Sequence, residues 1–131
     1  MERRLFTLDE ARSHLPKLRE ILPGLMDAVR EAEPLREQMA AIQRATAGNG
    51  HVVDDDVAAR RRRLEQLAET INEVLQELNQ LGIEMKDLVR GLVDFPSRRD
   101  DRVVYLCWLY DEEDIQYWHE LDAGFAGRQP L

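Results

Sequence analysis

The stretch that decides the fold is residues 82–131, GIEMKDLVRGLVDFPSRRDDRVVYLCWLYDEEDIQYWHELDAGFAGRQPL. It contains both tryptophans, all three tyrosines and the only cysteine of the chain. Within it, residues 102–110 (RVVYLCWLY) are rich in β-branched and aromatic residues, which predicts a strand. Apolar residues occupy both alternating sets of positions, so both faces of this strand should be covered. One face can lie on helices, and the other needs the C-terminal tail or a second subunit.

The flanking residues predict a small antiparallel sheet of about three strands. Residues 83–88 alternate in character, and residues 90–95 form a strand candidate that Pro96 is expected to close. The polar residues 97–101 (SRRDD) predict the hairpin loop between two strands. The acidic run DEED at 111–114 is expected to cap a short helix or turn that carries Ile115 and Trp118. Residues 123–131 contain two glycines and a proline, which predicts an irregular tail.

The N-terminal part, residues 1–81, predicts helices. Thr7 and Glu10 have the spacing of a capping box at the start of a short first helix, residues 8–15. A second helix is expected from Pro16 to about residue 45. Because proline removes a backbone donor and crowds the preceding turn, kinks or restarts are expected at Pro23 and Pro34.

A third helix is predicted from about residue 55 to residue 81. Turn residues at 48–50 (GNG) precede it, Asp54 and its acidic neighbours supply its N-cap, and Gly82 caps its C-terminus. Its apolar residues follow one heptad seam, which comprises Leu64, Leu67, Ile71, Val74, Leu78 and Leu81. A short polar loop between two amphipathic helices predicts an antiparallel, coiled-coil-like hairpin.

The length of 131 residues predicts a single domain of the α+β class, with the helical hairpin at 1–81 and the sheet and tail at 82–131. The net charge of −8 disfavours binding to nucleic acid. The basic runs at 60–63 and 98–99 each have acidic neighbours, and we interpret the first run as a solvated helix face.

The lone Cys107 rules out a disulfide within the chain and indicates a reducing compartment. No apolar run is long enough for a membrane span, and the N-terminus lacks the apolar region of a signal peptide. A cytoplasmic protein that does not insert into membranes is therefore expected. Cys107 lies in a strand candidate with no activating base beside it, so an inert thiol is expected.

The segment around His119 is a candidate metal site. On a helix, His119 and Asp122 would share a face, and Glu120 lies between them. These three side chains offer ligands for zinc, manganese or iron, with further ligands from acids of the sheet such as Glu84, Asp87 or Asp94. The alternative is that His119 hydrogen-bonds to a nearby carboxylate and anchors the tail.

Asp87, Asp94 and Arg128 are candidate residues for binding a small ligand. A charge on a short, half-buried strand must be paired or point to solvent. Asp94 can also cap a turn before Pro96. Arg128 is expected either to close over an anion or to pair with one of the acids.

Several short motifs give the chain a resemblance to a known family. They are Lys86-Asp87, residues 91–96 (GLVDFP), 104–108 (VYLCW), 117–120 (YWHE) and 124–128 (GFAGR), with Phe6-Thr7, Glu10-Ala11 and Leu15-Pro16 near the N-terminus. In this combination the chain resembles the domain of unknown function 2203 family over nearly its whole length. The resemblance implies a small prokaryotic protein, and it carries no activity, cofactor or catalytic residue.

The sequence leaves two functions open. The hairpin and the absence of a recognisable catalytic set favour a non-enzymatic interaction or scaffold protein. The heptad seam and the two-sided strand predict that this protein is a homodimer. The alternative is a metal- or small-ligand-binding protein, including a metal-dependent enzyme, with its site in the C-terminal block. The sequence identifies no cofactor.

Overall fold

The structure, a computed structural model, describes residues 3–46 and 55–131. The expected turn at 48–50 and the expected N-cap at Asp54 lie outside these ranges. Three helices precede the sheet: α1 (Leu8–Ser13), α2 (Leu15–Thr46) and α3 (Asp55–Leu81). Within the described ranges, no helix is both long enough and apolar enough to cross a membrane.

The capping box predicted at Thr7 is confirmed. The Glu10 backbone N–H donates to Thr7 Oγ1 at 3.1 Å, and the Thr7 backbone N–H donates to Glu10 Oε1 at 2.9 Å. These two bonds satisfy donors that the first turn of a helix would otherwise leave unpaired. Helix α1 ends at Ser13, two residues earlier than expected, and α2 begins at once with Leu15.

Helix α2 continues through both internal prolines, so the restarts that we expected at Pro23 and Pro34 do not occur. Each proline costs a helical hydrogen bond. Packing of one face outweighs that cost, since tertiary contacts supply most of a helix's stability in a folded protein. The buried residues on this face are Leu15, Leu18, Leu22, Leu25, Met26, Ala28 and Ala32.

The heptad seam of α3 packs within the chain against the same core. Leu67, Ile71 and Leu78 are buried, and Leu64, Val74 and Leu81 are partly buried against them. The predicted cap at Gly82 is confirmed, with φ at +82°. The N–H of Gly82 donates to the Asn79 carbonyl, and the N–H of Ile83 donates to the Leu78 carbonyl. This pair of bonds is the Schellman arrangement, which turns the chain towards the sheet.

The sheet has five antiparallel strands in the order of the chain. They are β1 (Glu84–Asp87), β2 (Leu92–Arg99), β3 (Arg102–Leu109), β4 (Tyr117–His119) and β5 (Gln129–Pro130). The predicted α+β class is therefore correct, and our count of about three strands was too low.

Strand β2 does not stop at Pro96 as expected. The Pro96 carbonyl accepts from the Phe6 N–H at 2.7 Å, on the side away from β3. The N–H and the C=O of one residue in an antiparallel strand point to the same side. Because the Pro96 carbonyl points away from β3, the N–H that proline lacks would also point away, and no hydrogen bond between β2 and β3 is lost. The observed hairpin turn is therefore shorter than the predicted loop at 97–101. It consists of Asp100 and Asp101, which have φ of 51° and 65°. Positive φ at both central residues is typical of a type I′ turn, whose twist matches that of the strands.

Of the helix or turn expected at 111–114, the structure has the turn: residues 110–111 form a turn, residues 112–114 bend, and Ile115 follows outside any strand. Trp118 instead lies in strand β4, where it pairs with Leu106. The tail is also more regular than expected, because it contains a 3₁₀ turn (Phe125–Gly127) and β5. Strand β3 would otherwise expose an edge of unpaired backbone groups, and β4 covers that edge.

The two faces of the sheet differ in character. The inner face packs on the helices through Val93, Phe95, Val104, Leu106 and Trp108, all of which belong to the hydrophobic core. The outer face carries Asp94, Cys107 and His119, and the chain's own C-terminal tail covers it. Both faces of β3 are therefore covered, as its two-sided apolar pattern predicts.

Candidate functional site

Three polar side chains are buried together on the outer face. The register of the sheet places Asp94 on β2 opposite Cys107 on β3, and Tyr105 on β3 opposite His119 on β4. Asp94 and His119 meet across β3. Their exposed fractions are 1% for Asp94, 2% for His119 and 0% for Cys107. Polar groups this deeply buried require partners, and these three are each other's neighbours.

The contacts of His119 define its protonation. Its Nδ1 lies 2.8 Å from the backbone carbonyl oxygen of Glu120. A carbonyl only accepts, so Nδ1 carries a hydrogen and donates it. Nε2 lies 3.0 Å from both carboxylate oxygens of Asp94. A proton must therefore lie between Nε2 and the carboxylate, and the pair together has no net charge.

Burial changes the acidity of the groups beside His119. Burial raises the pKa of Asp94 above its ordinary value, and the His119 ring partly opposes that shift. Burial, reinforced by the Asp94 carboxylate, raises the pKa of Cys107 to about 12. At neutral pH this thiol is protonated and a poor nucleophile, which agrees with the inert thiol expected from its sequence context.

The same three side chains form a possible metal-ligand set. One carboxylate oxygen, one thiol sulfur and one imidazole nitrogen lie within 4.8 Å of one another. Around a tetrahedral zinc ion, neighbouring ligand atoms are roughly 3.3–3.7 Å apart, given bonds of about 2.0–2.3 Å. The bond from Nδ1 to a backbone carbonyl leaves Nε2 directed at the cluster, as is common for metal-binding histidines.

A cavity of about 120 Å³ adjoins the cluster. Asp94, His119, Tyr105 and Lys86 form its polar wall, and its apolar wall comprises Leu92, Leu121, Gly124 and Phe125. Two of the polar lining groups share one partner: the Lys86 ammonium and the Tyr105 hydroxyl both donate to Glu84 Oε1, each at 2.9 Å. The Lys86 ammonium also lies 4.7 Å from the centre of the Tyr105 ring.

Of the residues that the sequence suggested as metal ligands, His119 and Asp94 lie in the cluster. Glu120 contributes its backbone carbonyl to His119, while its side chain pairs with Arg102. Asp122 is exposed on the tail. The expected helical spacing of His119 and Asp122 is wrong, because β4 ends at His119 and the next residues do not continue as a helix.

The three candidate ligand-binding residues are separated. Asp94 lies in the cluster, whereas Asp87 Oδ1 accepts from the backbone N–H groups of Val89 and Arg90 in a turn. Arg128 donates to Glu112 Oε1 at 2.5 Å. Arg128 thus pairs with an acid, the second of the two roles considered for it, but this acid is not one of the predicted site residues.

Arg128 also fastens the tail to the sheet. Its guanidinium carbon lies 4.1 Å from the centre of the Tyr117 ring and 4.8 Å from the centre of the Phe125 ring. Stacking on two aromatic faces is favourable for a guanidinium. Because Phe125 lines the cavity, Arg128 holds one wall of the site in place.

Sequence reasoning missed the part that Cys107, Tyr105 and Lys86 play at this site, and it considered Glu84 only as a metal ligand. One usable signal was present: Tyr105 and Cys107 are two residues apart in a strand and so must share a face. No signal in the sequence gave the register that sets Asp94 opposite Cys107.

A comparison with protein families settles the relationship of the chain. The model of an uncharacterized conserved protein family, DUF2203, matches residues 4–131. The chain belongs to the DUF2203 family. This confirms the resemblance seen in the short motifs, and the DUF2203 match includes every strand and the whole outer-face cluster. Searches among curated proteins and among solved structures gave no match to the chain.

Proposed function

We propose that this protein binds a divalent transition-metal ion through Asp94, Cys107 and His119. The observation that supports the proposal is the convergence of three buried ligand-type side chains from three neighbouring strands, with their ligand atoms within 4.8 Å. A mixed set of oxygen, sulfur and nitrogen ligands suits zinc better than magnesium or calcium, which prefer oxygen alone.

Charge balance favours a metal in this place. A divalent ion bound by one carboxylate, one thiolate and one neutral imidazole forms a centre without net charge. Such a centre carries a far smaller penalty for burial than an isolated charge. The ion would displace the proton between Asp94 and His119 and the proton of the Cys107 thiol, since a coordinating thiol loses its proton. Small movements of the three side chains would bring the ligand atoms to metal-binding distances.

The competing interpretation is purely structural: Asp94 and His119 join β2 to β4 and fix the tail. Both interpretations predict that losing His119 destabilises the protein. They differ in whether added metal stabilises it, because a ligand that binds only the folded state raises the melting temperature.

The test measures bound metal and melting temperature for protein prepared without a histidine tag and kept reduced. Wild type and Asp122→Asn, the matched exposed control, should bind about one zinc per chain and melt at a higher temperature with zinc. Asp94→Asn and His119→Ala should bind little zinc and gain no stability from it. Absence of zinc from all four proteins, with no stabilisation of wild type, leaves only the structural interpretation.

The second candidate function, a scaffold acting as a homodimer, is supported by the far end of the hairpin. None of residues 33–45 of α2 is buried, although α2 runs on to Thr46. This part of the hairpin extends about 20 Å beyond the last buried residue of α2, Ala32. The two surfaces that first suggested a dimer, the α3 seam and the outer face of β3, are filled within the chain. The dimer proposal therefore rests on this protruding arm.

Sedimentation velocity tests the dimer. A dimer at high micromolar concentration, weakened by Met39→Asp in the arm and unchanged by Asp122→Asn, supports it. A monomer at every concentration removes it. A cytoplasmic location is supported by the single cysteine, Cys107, because the protein does not depend on a disulfide within the chain.

A further inference from the structure

We infer that the metal proposed above takes a small carboxylate as its fourth ligand, held between the ion and Lys86 inside the 120 Å³ cavity. The inference rests on the proposed metal site. It adds the chemical class of the molecule that the site receives.

Three protein ligands leave one position open in a four-coordinate zinc site, and an open position is what distinguishes reactive zinc sites from structural ones. The cavity is lined by Asp94 and His119 but not by Cys107. We therefore place Cys107 on the side of the metal centre that faces away from the cavity. The open coordination position of the metal then faces the cavity. A closed structural site would have a fourth protein ligand there, and the cavity holds no further His, Cys or acidic side chain among its described lining residues.

The charges around Lys86 favour an anion. Lys86 is the cationic residue of the lining, and its ammonium has three N–H donors, of which Glu84 takes one. Arg3 also faces Glu84, with 4.0 Å between Nε and Oε2. Lys86 and Arg3 together outweigh the single charge of Glu84 by one positive charge. The metal centre itself is neutral, so an entering anion finds a balancing charge at Lys86 in the lining.

The small size and the apolar wall favour a short carboxylate. A cavity of about 120 Å³ has room for several water molecules and therefore for a small acid. Leu92, Leu121 and Phe125 offer an apolar surface for its short alkyl group. Phe125 is held in place by Arg90, 4.4 Å from its ring centre, and by Arg128 on the tail. A bulkier acid would have to displace this ring.

The experiment uses the full chain loaded with cobalt(II) in place of zinc, with acetate as the probe and chloride as the ionic-strength control. The visible d–d bands of the bound cobalt first report coordination, and a near-ultraviolet charge-transfer band reports the Cys107 thiolate. Acetate should then change the spectrum saturably, whereas benzoate, whose ring needs more room than the methyl group of acetate, and chloride at equal ionic strength should not. Lys86→Met should weaken acetate binding at least tenfold with cobalt binding unchanged, and Lys17→Met on the distant α2 should have no effect.

Each of the other possible results contradicts either the metal site or the carboxylate inference. A protein that binds no cobalt overturns the metal site and this inference together. Normal cobalt binding with no specific response to acetate overturns the inference alone. The same holds if Lys86→Met binds acetate as tightly as wild type, or if benzoate binds as well as acetate.

Discussion

Cys107 and Asp94 face each other across β2 and β3, and burial changes the chemistry of both. Neither residue type identifies its role by itself: a lone cysteine in an apolar strand and an aspartate before a proline are both common structural residues. Their role becomes apparent only with His119, which lies 25 positions away from Asp94 in the chain. In space, His119 Nε2 lies 3.0 Å from Asp94 Oδ1. The individual residues are thus visible in the sequence, while the cluster that they form is not.

Cys107 should resist thiol reagents in the native protein. Because burial raises its pKa to about 12, only roughly one thiol in ten thousand is ionised at pH 8. Ellman's reagent at pH 8 should therefore label the folded protein very slowly and the urea-unfolded protein within minutes. Fast labelling of folded protein would show that Cys107 is accessible, and it would contradict the burial on which the cluster depends.

A helix or strand can be predicted from its own sequence pattern when the contacts that stabilise it are between residues close together in the chain. Helix α3 shows this most directly, because its heptad seam predicts both its length and its buried face. The sheet shows the opposite. Its strands have two to eight residues, and short strands take their identity from the partner beside them more than from their own sequence.

Ile71→Ala should lower the free energy of unfolding by about 2–5 kcal/mol, because it opens a cavity in the seam between α3 and α2. Urea unfolding measures this directly. Leu78→Ala, at an even less exposed position, should fall in the same range. The exposed Glu73→Gln on the same helix should have almost no effect. A loss below about half a kcal/mol for Ile71→Ala would show that the seam does not carry the hairpin's stability.

The molecule as a whole combines a projecting helical hairpin with a sheet that is buried on both faces. Its net charge of −8 is spread over a surface on which many charges are paired. These global properties govern how the protein responds to acid and to polyanions.

Acid should destabilise the protein. The hydrogen bond from the Thr7 backbone lowers the pKa of Glu10, and hydrogen bonds from Arg63 and Arg102 lower those of Glu31 and Glu120. A carboxyl whose pKa is lower in the folded state stabilises it above the unfolded pKa, about 4.3. That contribution is lost as the pH falls through the folded pKa. Asp94, whose pKa burial raises, acts in the opposite direction.

Urea unfolding at pH 7 and at pH 3 should therefore show lower stability at pH 3. The loss should be smaller in a Glu31→Gln, Glu120→Gln double variant, because two of the titrating groups are gone. Equal losses in the variant and in wild type would show that these ion pairs do not set the acid sensitivity.

Nucleic acid should bind weakly at physiological salt, since the net charge repels phosphate. The arginine runs are also partly occupied: Arg63 pairs with Glu31, and Arg99 lies over the Trp118 ring. Fluorescence anisotropy with duplex DNA and with RNA in about 150 mM salt should show no sub-micromolar binding. Tight binding with a steep dependence on salt would mean that the local arginines overcome the global charge.

The sequence by itself determined the helical hairpin, its capping box, its buried seam, the α+β class and the family. All of these depend on residues close together in the chain or on a short repeat. Only the tertiary structure decided the number of strands, the passage of β2 through Pro96 and the meeting of Asp94, Cys107 and His119. The physical reason is register: a shift of one residue moves every side chain of a strand to the other face. That register is fixed by packing and backbone hydrogen bonds between strands distant in sequence, which no local pattern specifies.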